Sequence, residues 1–255
     1  MKYTVSLLSS FIISLNLYAA DLQREKRLAD EIVDSIMDGD AVYLKSGDHE
    51  FLNIYMQSEV NQPKGGVIIL HGRGFHPDWK EVTSPLRTGL PEHGWHTLSV
   101  QMPVLHKQAK YYDYVEILPE ALPRIEAAID FLKKRGLKNI ILIAHSCSVH
   151  MSMAWLEQAS DKNIKAYIGI AMGATDYKQP MKKDFPFMQL TIPVLDIYGS
   201  KDFPAVTNKA AARLGMIKMA GNSKSDQRMI NDADHYFTDK GDTLLSEISR
   251  WLDTL

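Results

Sequence analysis

Five short, mostly apolar runs leave this chain few architectures to choose from. They lie at residues 67–70, 95–100, 140–143, 166–171 and 193–198, with a weaker run at 227–230. Such runs suit strands buried on both faces, since a strand with one wet face alternates apolar and polar residues. The stretches at 118–135, 148–158, 205–214 and 242–252 read as helices, and the first of these stops at Gly136, as a helix C-terminus does. Strands alternating with helices imply a mostly parallel central sheet with helices on both faces. Ahead of this pattern, Leu28, Ile32 and Ile36 put one apolar face on a helix over 21–38. Residues 41–45 and 51–57 form two strands turned at Ser46-Gly47-Asp48.

No internal repeat, long linker or second composition interrupts the chain, so residues 21–255 are expected to be a single domain. Hydrophobic residues make up 45% and charged residues 24%, a balance that can bury a sizeable core. A net charge of −2 offers no basic surplus to neutralise phosphates, which argues against nucleic acid as a partner. Residues 1–20 have the layout of a secretory signal peptide: Lys2, an apolar stretch over 5–17, then Ala19 and Ala20. That stretch falls short of the about 20 residues a membrane span needs, so no stable membrane span is expected after processing. The expected location is outside the cytoplasm, in the periplasm. Cys147 is the lone cysteine, which rules out an internal disulfide and leaves stability to the core.

In an open parallel sheet, ligands bind beyond the carboxyl ends of the strands. The residues just past each run are therefore where chemistry is to be sought. After 140–143 comes Ala144-His145-Ser146-Cys147-Ser148 and then a helix. A serine between small residues on a strand-to-helix turn is a nucleophile elbow, and the following helix aims its N–H groups and dipole at the serine. After 67–70 comes His71-Gly72-Arg73-Gly74, a loop placed to supply the other half of an oxyanion hole. The donors would be the backbone N–H groups of Cys147 and Arg73, with Gly74 as the alternative to Arg73. Asp202 follows the run at 193–198, and His235 follows the run at 227–230. A serine needs a base to take its proton, and the base needs a carboxylate to fix its tautomer. The order Ser, acid, His is the one expected of this chemistry on such a sheet.

On these motifs, from about Gly65 to the C-terminus, the chain resembles the α/β-hydrolase superfamily. Within it, the chain is similar to a bacterial branch of exported hydrolase-like proteins with no assigned function. The resemblance implies the α/β-hydrolase fold with Ser146 as nucleophile, His235 as general base, Asp202 as its orienting acid, and Arg73 and Cys147 as oxyanion donors. It implies no cofactor and no metal. Ala144 and Ser148 stand where the superfamily usually has glycine.

Other residues have plainer expectations. Cys147, one past the elbow serine, is expected to be an inert buried thiol with its side chain turned from the site of attack. Asp176, past 166–171, is a possible substitute acid. Asp196 lies inside an apolar run and needs a partner if it is buried and ionised. His93 and His96 straddle Gly94 before a strand, a poor arrangement for zinc. His76, Trp79, His106, Tyr111 and Tyr112 are loop residues near the expected site. Only about twenty residues separate the run ending at Ala171 from the one starting at Pro193, far fewer than the ~50 of an independent lid domain. With no large lid, the site should be open and shallow.

The activity expected is that of a serine hydrolase cleaving an ester or related acyl bond, on a small-molecule or envelope-derived acyl substrate. The alternative is a non-catalytic exported binding or scaffold protein that retains the fold.

Overall fold

The computed structural model of the chain describes residues 19–159 and 163–255. The expected leader, residues 1–20, lies outside the described residues apart from Ala19 and Ala20.

Helix α1 (Leu22–Val33) is capped by Asp21, whose side chain accepts the Arg24 N–H at 2.9 Å. A hairpin follows: β1 (Asp40–Ser46) and β2 (His49–Met56), with Gly47 at φ 60° in the turn. The remaining strands are β3 (Gly65–Leu70), β4 (Trp95–Val100), β5 (Ile140–His145), β6 (Ala166–Ile170), β7 (Val194–Lys201) and β8 (Asp226–Asp234). The eight strands of the described residues form one sheet in the order β1-β2-β4-β3-β5-β6-β7-β8. Strands β3 to β8 run parallel, and β2 is antiparallel to both of its neighbours. The chain steps to β4 on one side of β3 and to β5 on the other, so the strand order reverses at β3. That reversal opens a crevice at the carboxyl ends of the strands.

Continuous apolar runs become strands here because both faces are covered. Along β3, Val67 and Ile69 point into one core while Ile68 and Leu70 point into the other; Ile141, Leu142, Ile143 and Ala144 of β5 divide the same way. Helices α3 (Tyr111–Lys134) and α4 (Cys147–Ala159) cover the face of Ile68 and Leu70. Helices α2 (Thr83–Gly89) and α7 (Gly241–Leu252) cover the face of Val67 and Ile69.

Strands β7 and β8 run past their expected ends, α2 had no counterpart in the sequence pattern, and three expected helices differ in extent. Helix α1 ends at Val33, before Ile36 and Asp38. Helix α3 starts seven residues earlier than periodicity suggests, at Tyr111, and continues through Pro119 and Pro123. Asp113 accepts the Lys110 N–H at 2.7 Å to cap it, and burial of Tyr114, Ile117, Ala121 and Ile125 holds the first turns in place. The helix expected over 205–214 is broken into α5 (Pro204–Thr207) and α6 (Ala210–Met219). Asp196 finds its partner in α6, where Arg213 donates Nε–H at 2.7 Å with both side chains buried. Among the described residues no helix is long and apolar enough to cross a membrane.

Candidate active site

Each expected site residue sits just beyond a parallel strand, and the crevice brings four loops together. Ser146 follows β5 directly and adopts φ 55°, in the left-handed region. Its N–H still donates to the Ile170 carbonyl at 2.9 Å, extending the β5–β6 ladder by one bond while the chain turns into α4. That turn lifts the hydroxyl out of the sheet plane, 2.8 Å from Nε2 of His235. Nδ1 of His235 lies 2.6 Å from Oδ1 of Asp202, which also accepts the Phe203 N–H at 2.6 Å. An ionised carboxylate can only accept, so the proton sits on Nδ1. Nε2 is then left with its lone pair facing the serine hydroxyl. All three side chains are buried, Ser146 at 7%, Asp202 at 7% and His235 at 4% exposure, so water competes little for these bonds.

The imidazole is held by its surroundings as well. Phe203 stacks on it with ring centres 4.1 Å apart, and His145 donates Nε2–H to the His235 backbone carbonyl at 3.0 Å. His145 is wholly buried, and loss of hydration lowers its pKa to about 3, so it stays neutral. Gly72 must be glycine because a Cβ there would lie 2.8 Å from Nδ1 of His145.

Arg73 and Cys147 both line the cleft beside Ser146. The Cys147 N–H opens α4 and has no acceptor one turn back. Two contacts shape the loop carrying Arg73. Ser148 donates its hydroxyl to the His71 carbonyl, tying the elbow to that loop. His71 accepts the Met102 N–H on Nε2 at 2.9 Å and donates from Nδ1 to the Gly72 carbonyl at 2.8 Å. Burial holds it neutral too, with a pKa of about 3.

Asp202, not Asp176, holds Nδ1 of His235, and Asp176 is committed elsewhere. It takes both ends of the Arg73 guanidinium and the Tyr111 N–H, the latter at 2.7 Å. Burial pushes its pKa up, but Arg73 and Tyr111 outweigh that and hold it below the usual carboxylate range. The Cys147 thiol is buried, which raises its pKa to about 12 and keeps it protonated. His96 shares a 2.8 Å hydrogen bond with the Tyr55 hydroxyl, and among the described residues no cluster of His, Cys, Asp or Glu is arranged to hold a metal.

The cleft above Ser146 measures about 350 Å³ and is walled by Phe75, Trp79, Tyr111, Phe203 and Tyr236. Trp79 and Tyr111 are among the loop residues expected near the site; His76, His106 and Tyr112 do not reach the cleft. Phe75, Phe203 and Tyr236 escaped the sequence reading, although Phe203 and Tyr236 directly follow Asp202 and His235. Between β6 and β7 the chain forms only turns and a short 3-10 turn at Phe187–Gln189, so no lid domain covers the cleft.

This sheet, with its elbow and covered faces, is the α/β-hydrolase fold. Solved structures of similar fold include a serine hydrolase homologue from Coxiella burnetii, at 16% identity and TM-score 0.65, covering 84% of this chain and 98% of that one. A lidless α/β serine hydrolase from Xanthomonas campestris matches at 14% identity and TM-score 0.64, over 86% and 95% of the two chains. Est1E from Butyrivibrio proteoclasticus, solved with ferulic acid bound, matches at 17% identity and TM-score 0.63, over 83% and 98%. A comparison with curated protein sequences finds no match. A family profile described as "Protein of unknown function (DUF3530)" matches residues 15–114 and 115–254, and the chain belongs to that family.

Proposed function

We propose that the protein is a serine hydrolase that cleaves an ester or related acyl bond through an acyl-enzyme. The observation that carries this reading is the continuous line from Ser146 through His235 to Asp202, at 2.8 Å and 2.6 Å, on the floor of an open cleft. Ser146 attacks the acyl carbonyl carbon as Nε2 of His235 takes its proton, and Asp202 steadies the imidazolium. The oxygen that gains charge is met by the backbone N–H groups of Cys147 and Arg73, assisted by the α4 dipole. His235 returns its proton to the leaving alcohol. Water then gives a proton to His235 and attacks the acyl carbon, and Ser146 leaves with the proton restored.

Five aromatic side chains around Ser146 favour a flat, aromatic acyl or alcohol group over a long alkyl chain, because rings stack on such walls. The leader-like residues 1–20 support an exported enzyme, working in the periplasm on an envelope-derived or small-molecule ester.

A fluorophosphonate probe tests the reading. Wild type should be labelled and Ser146→Ala should not; a folded wild type that resists labelling would instead support a non-catalytic binding protein. On p-nitrophenyl and aryl esters, kcat/KM should be higher for aryl-acyl than for long alkyl-acyl substrates.

A further inference from the structure

We propose that the exported chain is cut between Ala19 and Ala20, and that the new α-ammonium of Ala20 docks on the Glu120 carboxylate. The inference rests on the export reading and is independent of the hydrolase reading.

The Ala20 backbone nitrogen lies 3.2 Å from Oε1 and 3.3 Å from Oε2 of Glu120, across 100 residues of sequence. One amide N–H cannot point well at two oxygens, and both distances exceed the 2.7–2.9 Å usual for charge-assisted bonds. A three-proton ammonium at the same position can satisfy both oxygens at once. Glu120 is half-buried in α3 and, among the described residues, forms no ion pair, Arg124 one turn along the helix being bound to Glu25 instead. A carboxylate so placed calls for a cation, and hydrolysis of the Ala19–Ala20 bond supplies one. Water adds across the bond, leaving a carboxylate on Ala19 and an amine on Ala20. That amine is protonated near neutral pH, since an α-amino group titrates near 7.7–8.0.

The neighbouring bond is the worse choice. Cutting after Ala20 would discard a buried residue, 8% exposed, and leave Glu120 without its contact. It would also put the positive charge on Asp21, the N-cap of α1, where the helix dipole disfavours it. With the cut after Ala19, Asp21 keeps its cap and its N–H remains bound to the Val104 carbonyl at 2.7 Å. Ala19 itself is exposed, so nothing packed is lost with the leader.

The full chain, expressed with its leader in a bacterial host, should be recovered from the periplasm with Ala20 first by Edman sequencing and intact mass. A mature chain beginning at Asp21 or elsewhere would overturn the assigned cut while leaving export intact. An uncut chain retained in the cytoplasm would overturn both. The docking is tested separately on chains released from a fusion to start at Ala20 or at Ala19. Glu120→Gln should lower Tm by about 2 °C in the chain starting at Ala20 and by less than half as much in the longer one. Equal losses in both would overturn the ammonium contact.

Discussion

Ser146 holds its hydroxyl out of the sheet at the expense of a left-handed backbone, a conformation that disfavours a residue with a Cβ by order 1 kcal/mol. Small flanks make the turn feasible, and Ala144 and Ser148 are both almost fully buried there. Ser148 does more than fit. Its hydroxyl bonds the His71 carbonyl and so joins the elbow to the loop that carries Arg73, a link glycine could not make. Ser148→Ala should therefore destabilise the fold by about 1 kcal/mol, seen as a lower Tm, and slow fluorophosphonate labelling several-fold as the loop loosens. Unchanged labelling with a lowered Tm would make the bond purely structural. Ser146, Asp202 and His235 were readable from the chain because each is among the first residues past a strand, and the crevice lies at those strand ends. Asp176 satisfied the same rule, yet it pairs with Arg73. Chain position tells which edge of the sheet a residue reaches, but not which neighbour it faces there. Phe75 is a lone loop aromatic, and loops have no periodicity to reveal where such a ring points.

At the scale of elements, strands were more legible than helices. The runs at 67–70 and 140–143 needed only their apolar content, because a strand covered on both faces has no polar side to break it, whereas β4 carries Thr97 and Ser99, whose buried hydroxyls donate to the Arg87 and Pro77 carbonyls. Helix α2 has seven residues, too few to show a period, and α3 carries two prolines that mark a boundary in most helices. Burial against the sheet overrides both cues. Asp196 shows the limit from another side: a charge inside an apolar run plainly needs a partner, but Arg213 lies on a separate helix whose rotation the sequence does not specify. With Arg213 bound to Asp196 and to the Val206 carbonyl, this pair pins α6 to β7. Arg213→Met would strand a buried carboxylate with only Gln227 beside it. A loss of roughly 3–5 kcal/mol in urea unfolding is expected, partly recovered when Asp196→Asn is added.

For the molecule as a whole, alternation of strand and helix pointed to a parallel sheet with two covered faces, while the strand order depends on which side of β3 each crossover takes. Covering both faces also buries polar residues, and His71, His145 and His150 are among them. Each is neutral and gives an N–H to a carbonyl, His150 to that of Ala174 at 2.9 Å. Loss of hydration depresses their pKa values to about 3, about 3 and about 4. In the unfolded chain a histidine takes up its proton near pH 6.5. Between that pH and about 4 the unfolded state therefore binds more protons than the fold, and stability must fall as the pH falls. The loss begins near pH 6.5, before ordinary carboxylates titrate, and amounts to roughly 1 kcal/mol per histidine between pH 6.5 and 5.5. Urea unfolding at pH 7.5, 6.5 and 5.5 measures it. His150→Gln, whose amide can still reach the Ala174 carbonyl, should flatten the slope by about one proton. A stability that stays level from pH 7.5 to 5.5 would mean that these histidines already carry their charge inside the fold.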